Sequence, residues 1–564
     1  MTQVANENNE AGKPLSKEVA PVPVGWKNRT LKQIRDDLLK VFKKGNKPPK
    51  LFQQGDQIVR IRSSGHGVRS EPLTLDSLRH HMDEQAKFVS SSRHEDEEES
   101  KDRKASKARI HVCPPPLDVV RDIMAMPGWP TDVFPPLERI TLCPFFDRQG
   151  KLINTQGYHE GSKVWYEPDT AVEIPSVPLR PTKQDVGRAT SILVDYLSDF
   201  PFEGMSDMAN ALGYMLTPFA RELITSPIPM LILDAPTPGT GKGLLAKALT
   251  IPVLGRPLPI TPQPENEAEW RKVITSQLTT LPQFVLFDNL TGTLRSNALE
   301  AVLTTDPDEF WSDRELGSTN MLVVPVRCVW LATANNLQIS GDLSRRLVWV
   351  RLDAKCERPE ERAAESFKHP ELLRWAKENR GSLVWALLVL IQNWVNEGQP
   401  LANVALGSFD SWAKTVGGIL QAAGINRFLE NAAERRETTD DEVIEWRAVC
   451  NAWWLEHEDD EIGVKELYQL VEKDELLPWL LSVDTEVGRR QRLGHKLRKL
   501  RGRCFGAFRI TQDGSDNSRR RQYHLELLPG HEAPPPEEQD EAEPAETGDP
   551  NRFNHLIESE DLDA

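Results

Sequence analysis

The stretch MLILDAPTPGTGKGLLAKAL, residues 230–249, is the most informative segment of the sequence. Its apolar beginning is typical of a buried strand, its middle is rich in Gly and Pro, and its end has the apolar spacing of a helix. Glycines let a backbone curl around phosphate without side-chain collision, and the amino end of the following helix adds partial positive charge. We therefore predict a phosphate-binding loop made of Pro238, Gly239, Thr240, Gly241, Lys242, Gly243 and Leu244.

This loop departs from the general pattern G-x-x-x-x-G-K-[ST] at two positions. Pro236 stands where the pattern has its first glycine, and Gly243 stands where it has Ser or Thr. The hydroxyl that usually ligates Mg²⁺ is therefore missing, and we expect water to take its place. Lys242 is expected to place its ammonium group between the terminal phosphates of a nucleotide.

An apolar strand with a polar end follows at FVLFDN, residues 284–289. Asp288 has the position of a carboxylate that holds Mg²⁺ through its water shell. Asn289 follows where a general base would normally be Glu. Because an amide cannot accept a proton from water, hydrolysis would need another base or a slow mechanism based on positioning alone.

The next segment, VWLATANNLQISGDLSRRLVWVRLD, spans residues 329–353. Its first strand ends in Asn335 and Asn336, whose carboxamides we expect to orient the attacking water near the γ-phosphate. Arg345 and Arg346 precede the next strand, and we expect them to reach the nucleotide of a neighbouring subunit as arginine fingers. The alternative for this pair is two surface arginines on a loop.

Together these segments resemble motifs of the AAA+ ATPases. PTPGTGKG resembles their phosphate loop, FVLFDN the Walker B strand, ATANN sensor 1 and DLSRR the arginine finger. The longer pattern DNLTGTL…EFWSDRELGS…VWLATANN…SGDLSRRLVWVRLD…RPEER, over about 220–425, resembles the AAA+ primase/helicase-like replication ATPases of phages and integrative mobile elements.

This resemblance carries expectations that the residue patterns alone do not. It implies a five-stranded core, a helical lid, a hexamer-like ring of identical subunits, and ATP with Mg²⁺ as cofactors. It also implies that Arg314, in WSDRELGS, faces the nucleotide or a subunit interface. Either Arg374 or Arg380 is the corresponding candidate for sensor 2.

Charge is distributed unevenly in the carboxy-terminal part of the chain, although the whole chain has a net charge of −16. Residues 531–564 carry a net −11, whereas residues 489–521 carry a net +10. Such basic clustering suits contacts with DNA phosphates, single- or double-stranded. The predicted DNA-binding residues are Arg489, Arg490, Arg492, Lys496, Lys499, Arg503, Arg519, Arg520 and Arg521. The alternatives are a solvated basic face, or a surface that the acidic tail covers in competition with DNA.

Composition shifts divide the chain into several regions and indicate a multidomain protein. The fold class that we predict is an α/β phosphate-loop (AAA+-like) core with a helical lid, an α+β amino-terminal domain, a winged-helix-like basic domain and a disordered acidic tail. The predicted ranges are a disordered leader 1–25, the amino-terminal domain 26–180 with a charged insertion 93–109, the core 186–356, the lid 357–440, the basic domain 441–528 and the tail 529–564.

Several classes of protein are disfavoured by composition. No apolar run approaches the roughly 20 residues of a membrane helix, and the amino end has no apolar signal segment. The six cysteines are far apart and form no Cys-x-x-Cys pair, which argues against disulfides or a zinc knuckle and fits the cytoplasm. No carboxylate cluster in the first 180 residues indicates a primase centre.

Two functions fit these features. The first is an ATP-driven DNA translocase or helicase that acts in the replication of a phage or mobile element, with other replication proteins as possible partners. The second is a nucleotide-gated DNA-binding or helicase-loading factor, which Gly243 and Asn289 favour because both point to slow hydrolysis. A switch ATPase of the defence type is a third reading, since fold does not fix function.

Overall fold

A computed structural model describes residues 21–24, 29–64, 67–92, 109–314, 321–481, 485–515 and 521–531 of the 564. Almost all of the predicted leader 1–25, charged insertion 93–109 and acidic tail 529–564 lies outside the described residues. Within the described ranges, no helix combines the length and apolar character needed to cross a membrane.

The amino-terminal region is a mixture of short sheets and helices. Pro21–Pro23, which the sequence assigns to a disordered leader, form a strand that pairs in parallel with Lys87–Val89, and Val22 is buried. Thr30 and Gln33 form a capping box that begins the first helix. The elements are β1 Pro21–Pro23, α1 Leu31–Gly45, β2 Leu51–Gln54, β3 Gln57–Ser64, β4 Gly67–Pro72, α2 Leu75–Gln85, β5 Lys87–Ser92, β6 Arg109–Val112, α3 Leu117–Met124, β7 Arg139–Thr141, β8 Phe145–Phe146, β9 Leu152–Ile153, β10 Gly157–His159 and β11 Val164–Tyr166.

The central region is built on a five-stranded sheet in which every neighbouring pair is parallel, in the order β13-β14-β18-β12-β20. A mixed α/β fold with a parallel sheet is therefore present, and the five-stranded core that the resemblance implies is observed. The elements are α4 Lys183–Leu197, α5 Met205–Ala220, β12 Met230–Ala235, α6 Lys242–Leu254, β13 Thr261–Pro262, α7 Glu267–Thr279, β14 Phe284–Leu290, β15 Thr293–Leu294, α8 Asn297–Leu303, β16 Phe310–Arg314, β17 Met321–Pro325, β18 Val329–Asn335, β19 Gln338–Ile339 and β20 Leu347–Arg351.

A hairpin stands outside this sheet, between its strands β14 and β18 in the chain. Strands β16 and β17 pair antiparallel, from Phe310 opposite Pro325 to Arg314 opposite Met321. Asp313 anchors the hairpin to α7, because its carboxylate accepts hydrogen bonds from Arg271 at 2.5 and 3.2 Å and from Thr275 at 3.2 Å.

The helices over the range predicted as a lid pack behind the helices that cover the sheet. Helix α10 is buried on nearly all sides and contacts α4, α5 and α6, while α5 and α6 contact the strands. The apolar side chains of α10 and α11 therefore belong to the same core as the sheet, although a layer of helices lies between them. The helices of the predicted lid are α9 Leu372–Glu378, α10 Arg380–Asn396, α11 Asp410–Ala422 and α12 Ala432–Thr439.

The carboxy-terminal region has a separate core around Trp446, Leu493, Leu497, Phe508 and Tyr523. Its four strands lie in the order β21-β24-β23-β22, all antiparallel. Its strands β23 and β24 form an antiparallel hairpin. The elements are α13 Asp441–His457, β21 Ile462–Gly463, α14 Val464–Lys473, α15 Pro478–Leu481, α16 Glu486–Leu500, β22 Cys504–Phe505, β23 Phe508–Ser515 and β24 Arg521–Leu527.

Candidate nucleotide-binding site

The predicted phosphate loop joins the carboxyl end of β12 to the amino end of α6. Gly239 and Gly241 have φ angles of +78° and +105°, a region that side-chain-bearing residues rarely adopt. Gly241 is also the residue before α6, and no side chain caps the first N–H groups of that helix. An uncapped helix start preceded by left-handed glycines is suited to bind an anion, so the loop fits a nucleotide phosphate.

Lys242 is the first residue of α6 and is 9% exposed. Its ammonium group donates to Asn335 Oδ1 at 2.6 Å and to the Thr237 carbonyl at 3.3 Å. Burial lowers the pKa of Lys242, and the nearby Asp234 carboxylate opposes that shift. The structure therefore brings Lys242 and Asn335 together, although 93 positions separate them in the sequence.

Position 243 is exposed, and a side chain added there would meet nothing within 4 Å. A hydroxyl is thus absent from this position although the space for one exists. The next residue, Leu244, is exposed as well. Among the predicted site residues, the one carboxylate that is suited to hold a hydrated Mg²⁺ belongs to Asp288.

Asp288 and Asn289 lie at a break in the pairing of β14 with β18. The register shifts between Phe287 and Leu290, and Asn289 has a φ of +57°. Thr333 on β18 holds this turn, because its hydroxyl donates to Asp288 Oδ1 at 2.6 Å and accepts from the Asn289 N–H at 2.7 Å. Sequence reasoning missed Thr333, although it lies on the same face of β18 as Asn335, two residues away.

Asn335 bridges Lys242 and the Asp288–Asn289 turn. Its Nδ2 donates to Asn289 Oδ1 at 3.4 Å, while its Oδ1 accepts from Lys242. The phosphate loop, the end of β14 and the end of β18 are thereby joined at one edge of the sheet. That edge is where ligands bind in parallel α/β sheets.

Asn336 faces the other side of the loop. It donates to the Pro236 carbonyl at 3.4 Å and accepts from Arg351 Nη2 at 3.1 Å. Arg351, the last residue of β20, also pairs with the buried Asp234 carboxylate, whose pKa burial nevertheless raises. Arg351 was missed at the sequence level, although a charged residue ending the apolar strand LVWVR is a signal for this edge.

Arg345 and Arg346 lie in one 3-10 turn, Gly341–Arg346, but in different environments. Arg345 is exposed and pairs with Asp342 of the same turn at 3.0 Å. Arg346 is 9% exposed and donates to the Glu300 carbonyl and, at 3.0 Å, to Thr304 Oγ1. The guanidinium of Arg345 is therefore accessible to solvent, whereas that of Arg346 is engaged by α8 and the residue after it.

The other predicted arginines of this region are separated. Arg314 is exposed at the end of β16. Arg374 is exposed and pairs with Glu371 and Glu378 on its own helix. Arg380 is buried and donates to the carbonyls of Pro252 and Val253 at the carboxyl end of α6. Because that end is opposite the phosphate loop, the expectation of Arg380 as sensor 2 is wrong.

The predicted DNA-binding residues of α16 also have different partners. Lys496 and Arg503 pair with Glu442 at 2.6 and 3.0 Å, and Arg489 lies 3.6 Å from Glu472. Arg490 pairs with Glu486 at 3.2 Å. The remaining predicted residues are exposed, namely Arg492, Lys499 and Arg521, while Arg519 and Arg520 lie outside the described residues.

Comparison with known proteins gives little to add to this geometry. No protein-family model matches the chain, and no curated protein is similar to it. Solved structures with some likeness include the X-ray structure of JCV helicase, with 12% identity and a TM-score of 0.21 over 45% of this chain and 73% of that one. A second is JCV helicase bound to a thiazolopyridinyl-phenoxyphenyl acetamide, with 13% identity and a TM-score of 0.19 over 46% and 74%. Likeness at this level says nothing about what this chain does, so its function is argued from its own residues.

Proposed function

We propose that this chain is an ATP-dependent DNA motor of the translocase or helicase type. The observation that carries the proposal is the single polar cluster at the carboxyl edge of the parallel sheet. There Lys242 contacts Asn335, and Asn335 contacts the turn that holds Asp288. A phosphate loop, a metal-binding carboxylate and a carboxamide in one place are the parts that nucleotide hydrolysis needs.

In this proposal, residues of this chain bind the nucleotide and position the attacking water. Gly239 to Gly243 hold the phosphates through backbone N–H groups, and Lys242 neutralises their charge. Asp288, oriented by Thr333, holds the water shell of Mg²⁺, which supplies charge neutralisation when bound. Asn335 orients the attacking water. To do so, its Oδ1 gives up the hydrogen bond from the Lys242 ammonium and accepts one from the water instead.

Assembly into a ring of identical subunits is part of the proposal. Its support is the exposure of Arg345, which has one partner, Asp342, that is itself on the surface. An arginine in this state is free to reach the nucleotide of a neighbour. The basic carboxy-terminal region would hold DNA, and replication of a phage or mobile element is the setting that the sequence resemblance implies.

A nucleotide-gated DNA-binding or loading factor is the second candidate, and Asn289 favours it. Its carboxamide accepts only the 3.4 Å bond from Asn335 and lies where a motor would place a carboxylate base. This candidate retains the nucleotide site and the DNA surface but makes turnover slow. Binding of ATP, rather than its hydrolysis, would then control assembly on DNA.

The test is ATP hydrolysis by the full chain with and without DNA, beside Lys242→Ala. We expect DNA to stimulate turnover in the wild type and the substitution to reduce kcat by at least about a hundredfold, since it removes a charge that stabilises the transition state. Lys247→Ala, an exchange of another lysine on the same helix, is the matched control and should leave turnover unchanged.

Three results separate the two candidates. DNA-stimulated turnover that depends on Lys242 supports the motor. Tight ATP binding without turnover, together with ATP-dependent binding to DNA, supports the loading factor. Turnover that survives Lys242→Ala would contradict both.

A further inference from the structure

A groove of about 830 Å³ crosses the carboxy-terminal region between α16, the amino end of α14 and the start of β24. Gly494 lies in its wall next to Val464, where a side chain on residue 494 would come within 3.3 Å of a Val464 methyl. The glycine thus lets α16 and α14 approach closely. The charged and titratable side chains that line the groove are Lys465, Glu466, Arg490, His495, Arg498 and Arg521.

The charge of this lining is strongly positive. Four permanent cations face one carboxylate, that of Glu466. Lys465, Arg498 and Arg521 are exposed, and within the part of the chain that the structure describes no acidic side chain pairs with any of them. Arg498 instead contacts the Gly494 carbonyl and His495 Nδ1, each at 3.2 Å. Positive charge concentrated in a groove attracts a polyanion.

Helix α16 also carries basic residues outside the groove, namely Arg489, Arg492, Lys496 and Lys499. Groove residues 490, 494 and 498 recur every four positions and so form one helix face. Lys496 lies on another face, where Glu442 neutralises both it and Arg503. Of the residues predicted together from sequence, Lys496 and Arg503 are therefore neutralised by Glu442, whereas Arg521 lies exposed in the groove.

The lining also indicates what part of a nucleic acid the groove would contact. Tyr523 is 1% exposed and belongs to the core, so the lining offers no Phe, Tyr or Trp ring for stacking on a base, and its one exposed ring is the imidazole of His495. Long cationic side chains without an exposed Phe, Tyr or Trp ring suit phosphates rather than bases.

We propose that this groove binds the sugar–phosphate backbone of DNA without reading its sequence, through Lys465, Arg498 and Arg521. The inference rests on the proposed function in taking DNA as the partner. It adds Lys465 and Arg498 to the DNA-binding set and assigns Lys496 and Arg503 to holding Glu442. Binding is accordingly electrostatic and depends steeply on salt concentration.

The test compares two triple variants of the full chain. The groove variant is Lys465→Ala, Arg498→Ala and Arg521→Ala. The matched control is Lys473→Ala, Arg501→Ala and Arg509→Ala, which removes the same charge from surface residues of this region that neither line the groove nor belong to the predicted DNA-binding set. Affinity for mixed-sequence single-stranded and duplex DNA is measured over a range of salt concentrations. We expect the groove variant to bind about tenfold or more weakly at low salt, with a salt dependence reduced by about two to three ions for duplex.

A charge-conserving variant guards against misfolding. Lys465→Arg, Arg498→Lys and Arg521→Lys retains the positive charge and should bind DNA nearly as tightly as the wild type. The proposal for the groove would be overturned if the control variant lost as much DNA affinity as the groove variant or more, or if the groove variant bound DNA as tightly as the wild type. Either result would leave the proposed motor intact. Absence of DNA binding by the wild type would overturn both, and the Lys242-dependent turnover shows whether an ATPase remains.

Discussion

At the scale of single residues, the candidate site depends on hydrogen bonds that fix side-chain direction. Thr333 is the best example, because its one hydroxyl serves both Asp288 and the N–H of Asn289. Asn289 has a left-handed backbone, which costs free energy for a non-glycine residue and needs support from its surroundings. Thr333 therefore fixes the direction of the Asp288 carboxylate, the proposed metal ligand.

Thr333→Val tests this positioning role with a change of almost equal volume. We expect kcat to fall about tenfold and the Mg²⁺ concentration for half-maximal turnover to rise, because Asp288 loses a hydrogen bond to its charged form. Mg²⁺ titration of ATP turnover measures both effects. The control is Thr250→Val, which removes a hydroxyl that bonds within α6, and an equal Mg²⁺ shift in that variant would contradict the role of Thr333.

At the scale of elements, one short turn buries Arg346 and leaves the adjacent Arg345 exposed. The 3-10 turn Gly341–Arg346 packs against α8, and this contact engages Arg346. Arg345 remains on the outer side of the turn. Adjacent residues in such a turn point in different directions, so the packing of the turn decides which arginine is available to a neighbour.

Replacing the two arginines separately should give opposite outcomes. Arg346→Ala should lower the free energy of unfolding by about 1 kcal/mol, because it leaves a partly buried carbonyl and hydroxyl without their charged donor. Arg345→Ala should leave the unfolding midpoint unchanged and reduce ATP turnover by about a hundredfold or more. Calorimetry and ATPase assays distinguish the two variants.

A mixing experiment extends the arginine prediction to the proposed ring. When Arg345→Ala is mixed with Lys242→Ala, some interfaces contain an intact loop and an intact arginine, so part of the turnover should return. If turnover did not recover on mixing although both variants were folded and assembled, Arg345 would act on the nucleotide site of its own subunit or would have no role in turnover.

At the scale of the whole molecule, buried ion pairs join the amino-terminal region to the region built on the parallel sheet. Glu222 pairs with Arg139 at 3.2 Å and lies 4.0 Å from Arg327, which in turn pairs with Glu138 at 2.5 Å. Burial, aided by Arg327, lowers the pKa of the adjacent Arg221 to about 9. Three buried guanidinium groups thus depend on two carboxylates, which ties the two regions into one structure.

Glu222→Gln should weaken this connection by about 3 kcal/mol, because it leaves cations in the interior without an opposing charge. Urea unfolding followed by tryptophan fluorescence measures the change. Glu378→Gln is the control, since it removes a carboxylate from an exposed pair with Arg374, and it should have no measurable effect. Equal stability of the Glu222→Gln variant and the wild type would show that packing alone joins the regions.

Sequence alone determined the order of the parts in this protein. Dense apolar runs with polar ends predict parallel strands, and the glycines of the loop at 236–243 predict its left-handed turns, because both are properties of a few neighbouring residues. Lys242, Asp288 and Asn335 could be chosen for the same reason: each follows a recognisable local pattern.

Only the tertiary structure decided which of these residues act together and which serve the fold. The bond of Lys242 to Asn335, the support of Asp288 by Thr333 and the neutralisation of Lys496 by Glu442 all join residues distant in sequence. Such pairings depend on how strands align and which helix face turns inward, and periodicity gives neither. Charge read along the chain therefore located a basic segment, whereas packing decided which of its cations Glu442 neutralises and which line the groove.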